Sequence, residues 1–256
     1  MSLDTRDQAL DSSLPTPDSR LPTSYDASAV FSPEASSLGS LTIEEDIALQ
    51  SGERLMTLNM GPQHPSTHGV LRLMLELEGE TVLRTKPVIG YLHTGMEKTG
   101  EDLTYLQGPT NVTRMDYASP LFTETAFALA VEELLGISGD IPARAVAIRT
   151  LLNELNRMAS HLLFLATNGM DIGAVSMMLY GWREREEVLR FFEKVTGLRM
   201  NHNFIRVGGV AADLPPGWRE DVLRLLELTP TRLEESDSLM ANQPIWRDRL
   251  QGVGVI

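Results

Sequence analysis

A chain of 256 residues that is 42% hydrophobic carries enough apolar side chains for one domain with a sizeable core. Its net charge of −13 at pH 7 argues against nucleic acid as a partner. It contains no cysteine, which excludes disulfides and thiolate-held iron–sulfur clusters, and no apolar run approaches the ~18 residues of a membrane span. The expectation is a soluble chain that meets a membrane only by docking.

Residues 1–46 are rich in Ser, Thr, Pro, Asp and Ala and poor in large apolar side chains. Such a segment buries too little surface to offset its ordering entropy, so it reads as a disordered extension. It has neither the apolar core of a signal peptide nor the Arg-rich, acid-poor bias of a transit peptide. Residues 47–92 read as an antiparallel β region. Order begins near Gly52, Arg54 to Asn59 alternates weakly as a strand, and Leu71 to Ile89 folds about Glu78-Gly79-Glu80 as a hairpin. Between strand and hairpin lies a run of breakers, Gly61-Pro62, His64-Pro65 and Gly69, which forms a loop carrying His64 and His68. Ser66 and Thr67 can hydrogen-bond their own backbone and fix its shape.

Residues 93–256 read as a helical bundle. Glu97 to Leu106 suits a short helix. Pro120 to Leu135 follows, with Leu121, Thr125, Leu129, Val131 and Leu135 near one face and Gly136 as the stop. The clearest helix starts at Pro142 and runs to about Asn168, where Ala145, Ile148, Leu152, Leu155, Ala159, Leu162 and Ala166 recur by threes and fours. Leu179 to Thr196 is the next, with Arg183–Glu187 and Glu186–Arg190 as surface pairs. Pro216 to Leu228 and Arg232 to Met240 complete the bundle. The fold class is α+β, a small N-terminal antiparallel sheet followed by a predominantly α-helical bundle.

Several polar residues admit two readings. His64 and His68 are either solvated loop residues or proton donors to a small substrate, and spacing alone leaves both open. They lack a third ligand at a known position, and metal is not expected. Glu154, Arg157 and His161 share a helix face, as a surface ion pair with a capped histidine or as a charged stripe inside an assembly. His93 stands four residues before Glu97 and reads as structural. His202 is assigned no chemistry.

Five strings carry a resemblance to one family. Leu58-Asn59-Met60-Gly61-Pro62-Gln63-His64-Pro65-Ser66-Thr67-His68-Gly69-Val70-Leu71-Arg72 closely resembles the signature loop of the D subunit of NADH–quinone oxidoreductase, respiratory complex I. Ile89 to Thr99, Arg114-Met115-Asp116-Tyr117, Leu152 to Leu162 and Asn203 to Val210 agree, in the family's order. The fold implied is that of the related nickel–iron hydrogenase large subunit. The activity implied is proton-translocating NADH:quinone oxidoreduction, with this chain as a wall of the quinone cavity and active only in the assembled complex. The resemblance places the quinone's donors on His68 and Tyr117 and a carboxylate partner of His68 on Asp171. It adds His64 and Arg114 to the quinone-binding set. The partners implied are subunits of the peripheral arm, including the small subunit that bears the terminal iron–sulfur cluster, and a membrane-arm subunit. The location implied is peripheral, on the cytoplasmic side of the cell inner membrane.

The chemistry is consistent with that assignment. Two-electron reduction of a quinone puts charge on two opposed oxygens and consumes two protons, so a donor is needed at each end. Histidine, with an ordinary pKa of about 6.5, gives and regains a proton near neutrality, whereas tyrosine, near 10, stays protonated and donates. A hydrogenase-type metal site would require cysteine pairs, which this chain lacks. A non-catalytic assembly protein of the same fold is the alternative. Two departures are notable. Thr94 stands where many relatives have arginine, and the chain stops at Ile256, before the family's usual end, so the bundle is expected to lack its C-terminal part.

Overall fold

The structure is a computed structural model that describes residues 55–255. The extension expected over residues 1–46, and Arg54 of the first strand, lie outside the described residues. The chain divides into two compact units between Tyr91 and Leu92.

In the first unit, β1 (Leu55–Met60), β2 (Arg72–Glu78) and β3 (Thr81–Val88) form an antiparallel sheet in that order. Leu58 pairs with Leu75 and Met60 with Leu73. Gly79, at φ 59°, lets the two-residue turn close, and the register shifts just before it, between Glu76 and Leu77. β3 is an exposed edge whose Arg84, Lys86 and Pro87 discourage further pairing.

The second unit is helical: α1 (Met96–Asp102), α2 (Gly108–Val112), α3 (Pro120–Leu135), α4 (Ala143–Asp171), α5 (Met177–Thr196), α6 (Trp218–Leu239) and α7 (Pro244–Leu250). Two short strands, β4 (Ile205–Arg206) and β5 (Gly209–Val210), pair between α5 and α6. The α+β architecture is as expected. Pro120 begins α3 at a first-turn position, and Gly136, at φ 70°, ends it. The expected stripe of α4 is the spine of the core: Ile148, Leu152, Leu155 and Ala159 are buried against Val188 and Phe192 of α5, and Leu162 is half-buried. Small residues bring the two helices together. A Cβ on Gly181 would stand 2.6 Å from that of Ala166, and one on Gly169 would stand 2.7 Å from that of Met177. Across the same pair, buried Arg185 donates to the Ala159 carbonyl at 2.8 Å.

Four expectations need correction. The buried face of α3 is Leu121, Glu124, Ala128, Val131 and Glu132, while Leu129 and Leu135 are exposed, because two carboxylates rather than two leucines turn inward. α1 ends at Asp102, and α2 and α7, each too short to show a period, were not expected. The Glu186–Arg190 pair forms, but Arg183 pairs with Glu184 and Glu235. Finally, α6 is one helix with Pro230 inside it. The ring removes an amide donor and costs ~3 kcal/mol or more in a helix interior. Packing overrides it: Val222 and Leu225 hold one side in the core, and Arg232 faces Glu184 of α5 on the other.

His202 packs into this core edge-on to Phe192, with ring centroids 4.9 Å apart. Its Nδ1 lies 3.1 Å from both Thr196 Oγ1 and the Leu198 carbonyl. Burial, with some help from the charge of Arg185, pushes the imidazole down to about 4 from 6.5. Because the unfolded chain takes up this proton first, the stabilising contribution is complete above the unfolded value and is lost as pH falls from 6.5 to about 4. Its total is up to about 3 kcal/mol. His202→Phe is expected to flatten that part of the acid-side decline in a urea-unfolding series; an unchanged slope overturns the assignment. Ala159→Leu is expected to cost ~1–3 kcal/mol by overpacking the α4–α5 contact, read as a lower unfolding midpoint at constant m-value.

Candidate functional site

The histidine loop is built from its backbone outward. Gly61 has φ 86°, and a Cβ there would sit 2.1 Å from the Leu71 carbonyl oxygen and 2.5 Å from Thr67 Oγ1, so the position admits only glycine. Thr67 is the loop's one buried side chain. Its hydroxyl lies 3.2 Å from the Pro62 carbonyl and 3.1 Å from that of His64, and its amide donates to the latter. At the neck, Arg72 donates twice to Asn59 Oδ1, at 3.2 and 3.0 Å. The exposed loop is therefore rigid.

The two histidines differ. His64 Nδ1 accepts from the Ser66 amide at 3.1 Å, which binds the ring into the loop and, when the ring is neutral, leaves the proton on Nε2. His68 follows the short 3-10 turn Pro65–Thr67 in the left-handed region, at φ 54°, and is exposed. Of the two hydroxyl residues expected to shape the loop, Thr67 does so through its side chain and Ser66 through its amide.

In the second unit, Tyr117 borders a cleft of about 370 Å³. Leu92, Met96 and Met115 supply apolar lining, and Thr94, Thr99, Asn111 and Arg114 supply polar groups. Asn111 Nδ2 donates to the Met96 carbonyl at 3.0 Å and joins the two helices that flank the cleft. Asp116 Oδ1 accepts from the amides of Ala118 and Ser119, at 3.1 and 3.2 Å, and its other oxygen takes the Ser119 hydroxyl. This carboxylate turns the chain into α3 and leaves Tyr117 half exposed at the bend. An apolar surface beside a phenol, a guanidinium and two hydroxyls suits a flat ring with polar oxygens. Thr94 leaves Arg114 as the only cation among the lining residues. A gap among α4, α5 and α6 measures only about 20 Å³ and is a packing defect rather than a site.

Behind the cleft, Thr113 is fully buried and donates to Glu124 Oε1 at 2.6 Å. Glu124 also accepts from three successive amides, those of Asn203 (2.6 Å), Phe204 (2.9 Å) and Ile205 (2.9 Å). Burial pushes its carboxyl up, and these four bonds pull it down. Neither Thr113 nor Glu124 stands out in the sequence, because an acid inside an otherwise helical run resembles a solvated one.

The remaining polar residues fall outside the cleft lining. Asp171 is the last residue of α4 and is exposed. Glu154 and Arg157 form an exposed intrahelical pair at 3.1 Å, with the guanidinium also over the Phe122 ring, and His161 is exposed on the same helix. His93 Nε2 lies 3.7 Å from Glu97 Oε1 at the surface. His68 belongs to the first unit, and Tyr117 and Asp171 to the second. Among the described residues, no group of three or more His, Asp or Glu is placed to hold a metal ion, and no helix is long and apolar enough to cross a membrane.

The chain is similar to known proteins along most of its length. Residues 171–256 match the family described as respiratory-chain NADH dehydrogenase, 49 Kd subunit. A protein of Acidothermus cellulolyticus, named as the D subunit of NADH-quinone oxidoreductase, is 60% identical over 214 residues, covering 84% of this chain and 48% of its own length. The protein of the same name from Mycolicibacterium smegmatis is 58% identical over 209 residues, 82% of this chain and 47% of its own. A D subunit of the same enzyme from Salinispora arenicola, designated D 1, is 58% identical over 204 residues, 80% and 46% respectively. The chain thus spans about half the length of the curated relatives it matches. Over the part it spans, it belongs to the family of the D subunit, or 49 kDa subunit, of NADH-quinone oxidoreductases.

Proposed function

We propose that this chain contributes a wall of the quinone-reduction cavity of a proton-translocating NADH–quinone oxidoreductase. The observation that carries the reading is the cleft at Tyr117, with its apolar lining and convergent polar groups, in a chain of the D-subunit family. The rigid His64–His68 loop supports it. The electrons come from outside this chain, which has no cysteine to hold a cluster. Their source is the terminal iron–sulfur cluster of an adjacent small subunit. Proton pumping belongs to membrane-arm subunits, and this chain docks peripherally on the cytoplasmic side of the inner membrane.

In this reading the quinone takes two electrons from the partner's cluster and two protons through groups of this chain. A ring N–H of His68 gives one proton to one oxygen, and the ring regains a proton from solvent. Tyr117 Oη–H hydrogen-bonds the other, passes its proton and regains one from solvent. Asp171 is, in this reading, the carboxylate partner that orients the His68 imidazole. His64 keeps the loop in shape through its bond from Ser66, and Arg114 offers positive charge to the reduced head group.

Tyr117→Phe is expected to lower quinone reductase activity of the assembled complex by ~10²–10³, the usual cost of losing one preorganised donor. NADH oxidation by an artificial acceptor upstream is expected to be unchanged, which controls for assembly. Full quinone activity in Tyr117→Phe would make the tyrosine structural and put the site elsewhere. Asp171→Asn and His68→Ala are each expected to slow quinone reduction, and the double variant to be no slower than His68→Ala alone. Multiplying effects would show that Asp171 does not act through His68.

A further inference from the structure

The segment Arg114–Tyr117 that borders the cleft is exposed residue by residue and lies between a five-residue helix and the start of α3. Successive turn bonds run along it, from the Arg114 amide to the Asn111 carbonyl and from the Met115 amide to the Val112 carbonyl. Such bonds set local shape and do not fix the segment against the body of the unit. Two inward posts do. One is the Asp116–Ser119 turn at the base of α3. The other is Thr113, immediately before Arg114, fully buried and bonded to Glu124.

Glu124 is itself held from several sides. Both its oxygens are occupied by the amides of Asn203, Phe204 and Ile205, which converge because Asn203 takes a positive φ of 47°. Three of its four donors are backbone N–H groups that cannot accept in return, so the site demands an acceptor on both oxygens. The carboxylate therefore links Thr113 to a loop that lies 79–81 residues downstream of Glu124, in one continuous set of hydrogen bonds.

We infer that Glu124 and Thr113 are positioning residues for the cleft: the buried carboxylate, acting through the Thr113 hydroxyl, sets where Arg114 and Tyr117 stand. This rests on the quinone reading for what the cleft does, but the mechanical link can be read without it. A donor displaced by about 1 Å can cost 10²-fold in rate, so a single hydrogen bond outside the lining is enough to matter.

Thr113→Val keeps the shape and deletes the hydroxyl, and Thr113→Ser restores it. In the assembled complex, Thr113→Val is expected to raise amide hydrogen exchange across residues 113–119 and to lower kcat/KM for a short-chain quinone by ~10–100-fold. Thr113→Ser should stay within about twofold of the parent in rate and match its exchange. In a Tyr117→Phe background, Thr113→Val should cost less than in the parent, because the hydroxyl being positioned is already gone and only the displacement of Arg114 is left to act. Glu124→Gln, which presents N–H to an amide donor, should reproduce Thr113→Val if the complex assembles; Thr113→Val carries the test if it does not. Unchanged exchange in Thr113→Val overturns the inference whatever the activity. Raised exchange with full quinone activity, while Tyr117→Phe is impaired, also overturns it. Raised exchange with a silent Tyr117→Phe leaves the link standing and rejects the quinone reading instead.

Discussion

Two carboxylates turned into the core from one helix hold the second unit together. Glu124 and Glu132 of α3 both reach the stretch 203–209, which has almost no regular structure of its own. A pair of two-residue strands is far below the size that is stable alone. Glu124 gathers three amides at its start, and Glu132 takes the Gly208 amide near its end. Arg149 of α4 closes the arrangement: it donates to Glu132 and also to the carbonyls of Arg206 and Gly209. Three elements distant in sequence are thus joined by groups whose separation would leave a charge buried and unpaired.

The two acids meet this requirement by opposite means. The Arg149 guanidinium, chiefly through its hydrogen bonds, holds Glu132 below the usual carboxylate range. Among the described residues Glu124 has no cation in contact and relies on the dipoles of amides and a hydroxyl, so burial wins and its carboxyl is pushed up. One end of α3 is fixed by a salt bridge and the other by an anion-binding nest of the chain's own backbone. The nest is the end that also meets Thr113 and hence the cleft.

What was legible in the sequence follows from which forces are local. The period of α4, the hairpin about Gly79 and the stop at Gly136 depend on neighbours a few residues away, and each stands where pattern and turn chemistry put it. The wrong face of α3 and the missed unity of α6 have one cause. Hydrophobic periodicity assumes that acids face water and that proline ends helices, and at Glu124, Glu132 and Pro230 distant partners override those preferences. The same limit applies at the site. Turn residues mark the histidine loop, but the bond that ties the His64 ring to the Ser66 amide is a matter of geometry rather than of pattern. Tyr117 came from motif resemblance rather than spacing, and its support at Thr113 and Glu124 lies in pairings with no sequence period.

Pro230 also divides α6 by the kind of force that holds it. Before it, Val222 and Leu225 are buried in the core, supplemented by Arg224 against Glu187 at 3.1 Å. After it, up to Leu239, no side chain of the helix is fully buried, and its ties to α5 are ionic: Arg183 to Glu235 at 2.6 Å and Arg232 to Glu184 at 3.6 Å. Added electrolyte screens exposed pairs and leaves apolar burial intact or strengthened. With Pro230 lacking the N–H that would donate to the carbonyl four residues earlier, the two halves are weakly coupled. Ionic strength therefore acts on this helix as a selective solvent variable, loosening residues 231–239 while the half before the proline stays seated.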